Sequence, residues 1–138
     1  MRTTAAAGAM ALSARNVARA AGANERLTTA FIGCGHIAKF GHLKELGTTL
    51  LKEGKLTIPA ACDVYKTRAV EFQGLAKEAG QDVKLVGDYH EILAMKDIDY
   101  VTIATPEHWH AKMAIEALEA GKHVYVEKPM THTVEQAL

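Results

Sequence analysis

The sequence has 138 residues, 49% of them apolar and 23% charged, which allows one domain with a sizeable core and leaves no room for several. Sixteen basic and sixteen acidic residues cancel, which argues against a general nucleic-acid binder. Two cysteines, Cys34 and Cys62, make no disulfide framework, and no run of about eighteen apolar residues is present to form a spanning helix, so no membrane partner is expected.

Residues 1–26 do not read like the rest. Ala5 to Ala14 is alanine-rich, Arg2 precedes it, and Ala18-Arg19-Ala20 fits a small-x-small cleavage site. One reading is a worn export signal, which places the protein in the periplasm or outside the cell. The other is an alanine-rich leader with no address, which leaves it in the cytoplasm. Either way the segment is expected to be disordered and to stay out of the fold.

The apolar run Leu27 to Ile32 predicts a first strand, stopped by Gly33. Gly33-Cys34-Gly35-His36-Ile37-Ala38 is a G-x-G-x-x-A pattern, with alanine in the third place. Gly33 takes the backbone angles of a tight turn, Gly35 lets a phosphate approach the main chain, and the following helix N-terminus offers N–H groups to a pyrophosphate. That helix is expected from Ile37 to about Leu51, with an apolar stripe at Ile37, Phe40, Leu43, Leu46 and Leu50, and Gly54 ending it. Leu56 to Cys62 predicts a second strand. Pro59 inside it removes a ladder donor and predicts a bulge.

A helix is expected from Thr67 to Ala79, with Ala69, Val70, Phe72, Leu75 and Ala76 as its apolar members and Gly80 as its stop. Val83 to Val86 is a short third strand. Asp88 and Glu91 form a capping-box pattern opening a helix to about Met95. Asp99 to Ala104 reads as a buried parallel strand, after which Thr105 caps and Pro106 begins a helix reaching about Ala120, with Gly121 just beyond. Lys122 to Val126 is the fifth strand, and Thr133 looks like the cap of another helix. The fold class is therefore α/β, a three-layer α/β/α Rossmann-like sandwich with a parallel sheet in the order 3-2-1-4-5. Ligands of such sheets bind at the carboxyl ends of the strands, near the switch point between strands one and four.

Three clusters accompany the glycine turn on that rim. Asp63, 30 positions after Gly33, directly follows strand two, where an acid binds the hydroxyls of an adenosine ribose. It favours NAD over NADP slightly, although Lys66 and Arg68 could accept a 2′-phosphate. Thr105-Pro106-Glu107-His108-Trp109-His110 is the second cluster. His108 and His110 lack a third metal ligand at suitable spacing and, two apart on a helix, face different ways, so no metal site is expected. In the third cluster, Lys128 of Glu127-Lys128-Pro129 suits a hydrogen bond to a substrate hydroxyl or to the carboxamide of a nicotinamide, and its charge would steady a developing alkoxide. Glu127 would orient it.

Taken together, these residues resemble the N-terminal half of the Gfo/Idh/MocA oxidoreductase family. The resemblance runs from Leu27 to Leu138. It rests on Phe31-Ile32-Gly33-Cys34-Gly35, Cys62-Asp63, Asp88-Tyr89, Asp99 to Pro106 with His108 and His110, and Ala120-Gly121-Lys122-His123-Val124 leading to Glu127-Lys128-Pro129. It implies that Gly33, Cys34, Gly35, His36 and Ile37 hold the pyrophosphate of NAD or NADP and that Asp63 holds the ribose. Thr105, Pro106 and His110 would line the cofactor groove, and Glu127 and Lys128 would sit by the nicotinamide, with Lys128 catalytic. The implied reaction is hydride transfer to or from a sugar or cyclitol hydroxyl. The family's larger C-terminal α/β domain, which completes the site and often builds a homo-oligomer, is not among these residues. The expected unit is therefore a truncated cofactor-binding half, inactive alone. The alternative is a non-catalytic dinucleotide-binding module.

Overall fold

In the computed structural model, which describes residues 26–138, five strands alternate with helices. The leader reading of residues 1–26 lies outside the described residues, Arg26 excepted. Strand β1 is Leu27–Ile32 and β2 is Leu56–Cys62, the bounds their apolar runs predict. β3 (Lys84–Val86), β4 (Tyr100–Ile103) and β5 (His123–Val126) each begin one residue later than expected. All neighbours are parallel, in the expected order β3-β2-β1-β4-β5. The strand order thus reverses between β1 and β4, which opens a crevice at their carboxyl ends.

The bulge in β2 is present. Thr28 pairs with Thr57 but Ala30 pairs with Ala60, so β2 carries one extra residue in that interval. Pro59 lies there and has no N–H to give. The Ile58 N–H donates instead to Gln81 Oε1 at 3.0 Å, and pairing with β3 begins only at Ala60.

Helix α1 departs from the expectation. Its first part, Ile37–Leu43, is a π-helix, and only Lys44–Thr48 is α-helical. The Lys44 N–H reaches back five residues to the Lys39 carbonyl. Wider turns carry a stripe counted at three-to-four spacing off the buried face. Ile37 and Phe40 are accordingly about half exposed, while Ala38 and Leu43, five apart, are buried. Leu46 and Leu50 pack at the margin of the core.

Helix α2 (Lys66–Glu78) buries Ala69, Phe72 and Ala76. Val70, expected inside, is exposed, because it stands about 100° around the helix from Ala69. Helix α3 (Tyr89–Ala94) is capped by Asp88, but not as a reciprocal box. Asp88 Oδ1 accepts from the His90 N–H at 2.9 Å and lies 2.6 Å from His90 Nδ1, so it is not available to Glu91. Those bonds, the backbone one first, hold the Asp88 carboxyl below its ordinary range.

Thr105 does not cap the next helix either. Pro106 is extended (ψ 145), a 3₁₀ turn covers Glu107–Trp109, and α4 runs only over His110–Glu119. The Thr105 hydroxyl is turned toward Met113 Sδ at 3.7 Å. At the other end of α4, the Gly121 and Lys122 N–H groups close on Leu118 and Ala117 carbonyls, the bond pattern that ends helices at a residue of positive φ; Gly121 has φ +75. Thr133 Oγ1 accepts from the Gln136 N–H at 3.4 Å, and the turn it opens is 3₁₀ (Glu135–Ala137), not α.

The sheet is covered on both faces. Phe31, Ile58 and Ala61 meet Ala38 and Leu43 of α1 and Phe72 and Ala76 of α2. On the other face Ala30, Ile32, Val101 and Ile103 meet Ile92 of α3 and Met113 and Ala117 of α4. Phe31 and Phe72 are fully buried, with ring centroids 4.8 Å apart. Replacing Phe72 by alanine is expected to cost about 3–5 kcal/mol, a large share of the stability of a domain this size, and to lower the urea midpoint accordingly.

Candidate functional site

The glycine turn sits where β1, β2 and β4 end together. Gly33 has φ +92, and a Cβ on it would stand 2.7 Å from the carbonyl of Ala104 at the end of β4. A larger residue is excluded twice, by conformation and by space. Gly35 is different: a Cβ there would meet nothing within 4 Å. Its smallness therefore serves no contact among the described residues, which leave its outer side open. Among the described residues the N–H groups of Gly35 and His36 form no hydrogen bond, and the first turn of a helix has N–H groups to spare. His36 is exposed and Ile37 is 44% exposed beside it.

Asp63 follows β2 and fastens this turn. Its Oδ2 accepts from the Cys34 N–H at 2.7 Å and its Oδ1 from the Tyr65 N–H at 2.8 Å. A carboxylate offers about four acceptor positions, so half of them remain for a ligand. The turn is also bonded to β2 through the Gly33 N–H and the Cys62 carbonyl at 2.8 Å. Cys34 itself points inward. Its side chain is fully buried and its Sγ lies 3.6 Å from the Cys62 carbonyl, so only its main chain faces the rim. Lys66 and Arg68 are exposed at the start of α2, with the Arg68 guanidinium over the Tyr65 ring at 5.5 Å.

The other half of the rim is built from the loops after β4 and β5. His110 is 2% exposed. Its Nε2 is 2.8 Å from the Thr105 carbonyl and its Nδ1 is 2.7 Å from the Pro129 carbonyl, so its ring joins the two loops. Pro106 and His108 are exposed. No group of three or more histidine, cysteine or acidic side chains gathers as metal ligands among the described residues. The Lys128–Pro129 peptide is cis. Lys128 is exposed, and among the described residues its ammonium has no hydrogen bond or ion pair.

Glu127 is not held by its neighbour's ammonium. Its Oε1 is 2.6 Å from Nε2 of His42, a residue on the π-helical part of α1, and its Oε2 accepts from the Lys128 main-chain N–H at 3.2 Å. Sequence reasoning misses His42. It lies 85 positions from Glu127, and the π-turn displaces it from any α-helical count that would face it to the rim. His42 also borders a groove of about 350 Å³ against Tyr100, Thr102 and Tyr125 on the sheet. The Lys122 of the Ala-Gly-Lys-His-Val stretch is structural. It is 8% exposed, and its ammonium caps the carbonyls of Met95 and Ile98.

Burial first, then the nearby Asp63 charge, push the Cys34 thiol from its ordinary 9.0 up to about 12, and the same two causes push Cys62 to about 11. The folded state thus holds these protons more tightly than the unfolded chain. Stability from this source is fully present below pH 9 and is lost as pH rises through 11 and 12. Both thiols are expected to resist iodoacetamide at pH 8 in the native protein and to react in urea, as read by mass spectrometry.

A family model described as an oxidoreductase family with an NAD-binding Rossmann fold matches residues 27–138. A glycosyl hydrolase family 109 protein of Shewanella putrefaciens is 39% identical over 117 residues, covering 77% of this chain and 23% of its own length. A 3-ketoreductase from Actinomadura kijaniata, solved with NADP and TDP-benzene, superposes with a TM-score of 0.67 at 31% identity, over 81% of this chain and 32% of that one. A dehydrogenase from Chromobacterium violaceum, solved with NADH and UDP-GlcNAcA, gives 0.68 at 28% identity, over 81% and 30%. The chain thus spans about a quarter of the curated relative's length and a third of each solved structure. With the family model matched from Leu27 to the last residue and the sheet order agreeing, the chain belongs to the Gfo/Idh/MocA oxidoreductase family, whose NAD-binding Rossmann fold it carries.

Proposed function

We propose that this chain is the NAD(P)-binding half of an oxidoreductase that moves a hydride between a nicotinamide cofactor and a hydroxyl of a sugar or cyclitol. The observation that carries the reading is the open side of Gly35, with N–H groups that have no partner among the described residues, on the same rim as Asp63 and Lys128. Gly33, Cys34, Gly35, His36 and Ile37 would seat the pyrophosphate, through main chain rather than side chain. Asp63 has acceptor positions left for the ribose hydroxyls and would repel a 2′-phosphate, which favours NAD. Exposed Lys66 and Arg68 offer that phosphate a counter-charge, and the solved relatives carry NADP in one case and NADH in the other.

Thr105 and Pro106 would wall the groove, with His110 holding them from behind. Glu127 and Lys128 would stand at the reactive end. The bound cofactor supplies or accepts the hydride. The ammonium of Lys128, without a partner among the described residues, donates a hydrogen bond to the substrate oxygen and stabilises negative charge as it builds there. In reduction that ammonium gives the oxygen its proton and is left as the neutral amine; in oxidation the neutral amine takes the hydroxyl proton as the hydride leaves the carbon. The UDP-GlcNAcA bound to one of the solved relatives supports a sugar-like substrate. The glycosyl hydrolase relative supports a second reading, in which that substrate is a glycoside. The leader, read as a worn export signal, would place this activity outside the cytoplasm.

Titration of the purified chain with NADH and NADPH, followed by nicotinamide fluorescence, tests the cofactor assignment. Saturable binding is expected, tighter for NADH, and no change with either cofactor would end it. Gly35→Ala is expected to leave the unfolding free energy from urea titration within about 0.5 kcal/mol of wild type, since its methyl group enters open space, while weakening NADH binding at least tenfold. In a full-length form, Lys128→Ala is expected to lower kcat by about 10²–10⁴-fold with little effect on cofactor affinity.

A further inference from the structure

We infer that His42 is a positioning residue for Lys128, acting through Glu127. Its bearing on catalysis rests on the function proposed above, but the geometry stands apart from it. The side chains of His42 and Glu127 are largely buried, at 18% and 14% exposure, and meet at 2.6 Å. Facing a carboxylate, the imidazole donates from Nε2. The ring is further fixed edge-on against Tyr125, with centroids 5.0 Å apart at 77°. The second oxygen of Glu127 takes the main-chain N–H of Lys128 at 3.2 Å. One oxygen is thus spent on α1 and the other on the turn.

The consequence falls on the adjacent side chain. A largely buried carboxylate needs a donor on each side. Without the imidazole, Oε1 has none, and the nearest flexible cation along the chain is the Lys128 ammonium. An internal Glu127–Lys128 ion pair would draw that ammonium back onto the turn and away from the rim. His42 removes the competing acceptor, which is why Lys128 stands exposed with no partner among the described residues. The π-turn is the device that brings His42 there. It puts an extra residue into the helix that begins at the glycine turn, so one helix presents its N-terminus to the pyrophosphate seat and an imidazole to the lysine turn.

The test needs no cofactor, so its failure is distinct from a failure of NADH to bind. Acetylation of Lys128 by a limiting succinimidyl ester is followed by peptide mass spectrometry, with exposed Lys66 as internal reference. His42→Ala is expected to slow labelling of Lys128 about threefold relative to Lys66, the scale of an exposed ion pair. His42→Gln, whose amide still donates, should keep the wild-type ratio, and His42→Ala/Glu127→Gln, which removes the acceptor charge, should restore it. An unchanged ratio in His42→Ala, or no restoration in the double variant, overturns the proposal. Independently of how any histidine variant folds, the wild-type chain should show a downfield, slowly exchanging imidazole Nε2 proton that disappears in Glu127→Gln. If the wild type lacks that proton, the proposal is wrong.

Discussion

The hydrogen bond from the Cys34 main chain to the Asp63 carboxylate is the constraint on which the rim depends. A glycine-rich turn has little of its own to hold its shape, since its side chains are absent or turned inward. Here the carboxylate at the end of β2 grips the turn at the end of β1, and Gly33 lies directly against the main chain at the end of β4. Three strand ends are thereby locked to one another around a loop whose Gly35 and His36 N–H groups are unused among the described residues. The same carboxylate faces outward with spare acceptor positions, so the group that builds the seat is also suited to hold part of the ligand.

The second half of the rim is held by imidazoles rather than by a carboxylate. His110 joins the loops after β4 and β5 through two carbonyls, and His42 joins the loop after β5 to α1. Of the histidines carried by the Thr-Pro-x-His-x-His stretch, the buried one thus works on backbone, and the exposed His108 has no part in that link. Lys122 does the same work at the opposite end of the sheet, where its ammonium closes the loop before β4. Several polar residues that give this sequence its signature are therefore braces, which explains how a rim of short loops keeps one geometry.

Much of the fold was legible because strands and stops are local. β1 and β2 follow from unbroken apolar runs, the glycines at 54, 80 and 121 all adopt positive φ where helices or turns were expected to end, and the strand order follows from alternation and handedness. What could not be read is what depends on tertiary competition. The stripe of α1 fails at Ile37 and Phe40 because hydrophobic spacing does not distinguish π from α winding. The caps at Asp88 and Thr105 go to other partners: Asp88 accepts from His90 rather than Glu91, and the Thr105 hydroxyl donates to Met113 Sδ. On the site, Asp63, Gly33 and Lys128 announce themselves by position after a strand. His42 does not, because its role exists only once the loop after β5 has folded back onto α1.

The proline in β2 has a consequence beyond the lost ladder bond. Side chains of a strand alternate between faces, so an inserted residue inverts the alternation for everything after it. Before the insertion Leu56 and Ile58 face α1 and α2; after it, Ala61 faces them while Ala60 and Cys62 face α3 and α4. Asp63, two beyond Ala61, inherits the side on which α1 and Cys34 lie. Had the strand kept even parity from Leu56, Asp63 would have emerged on the opposite face, behind the sheet from the turn it fastens. A single irregularity near the middle of β2 works as an aiming device, and the address of Asp63 is written four residues upstream of the acid itself.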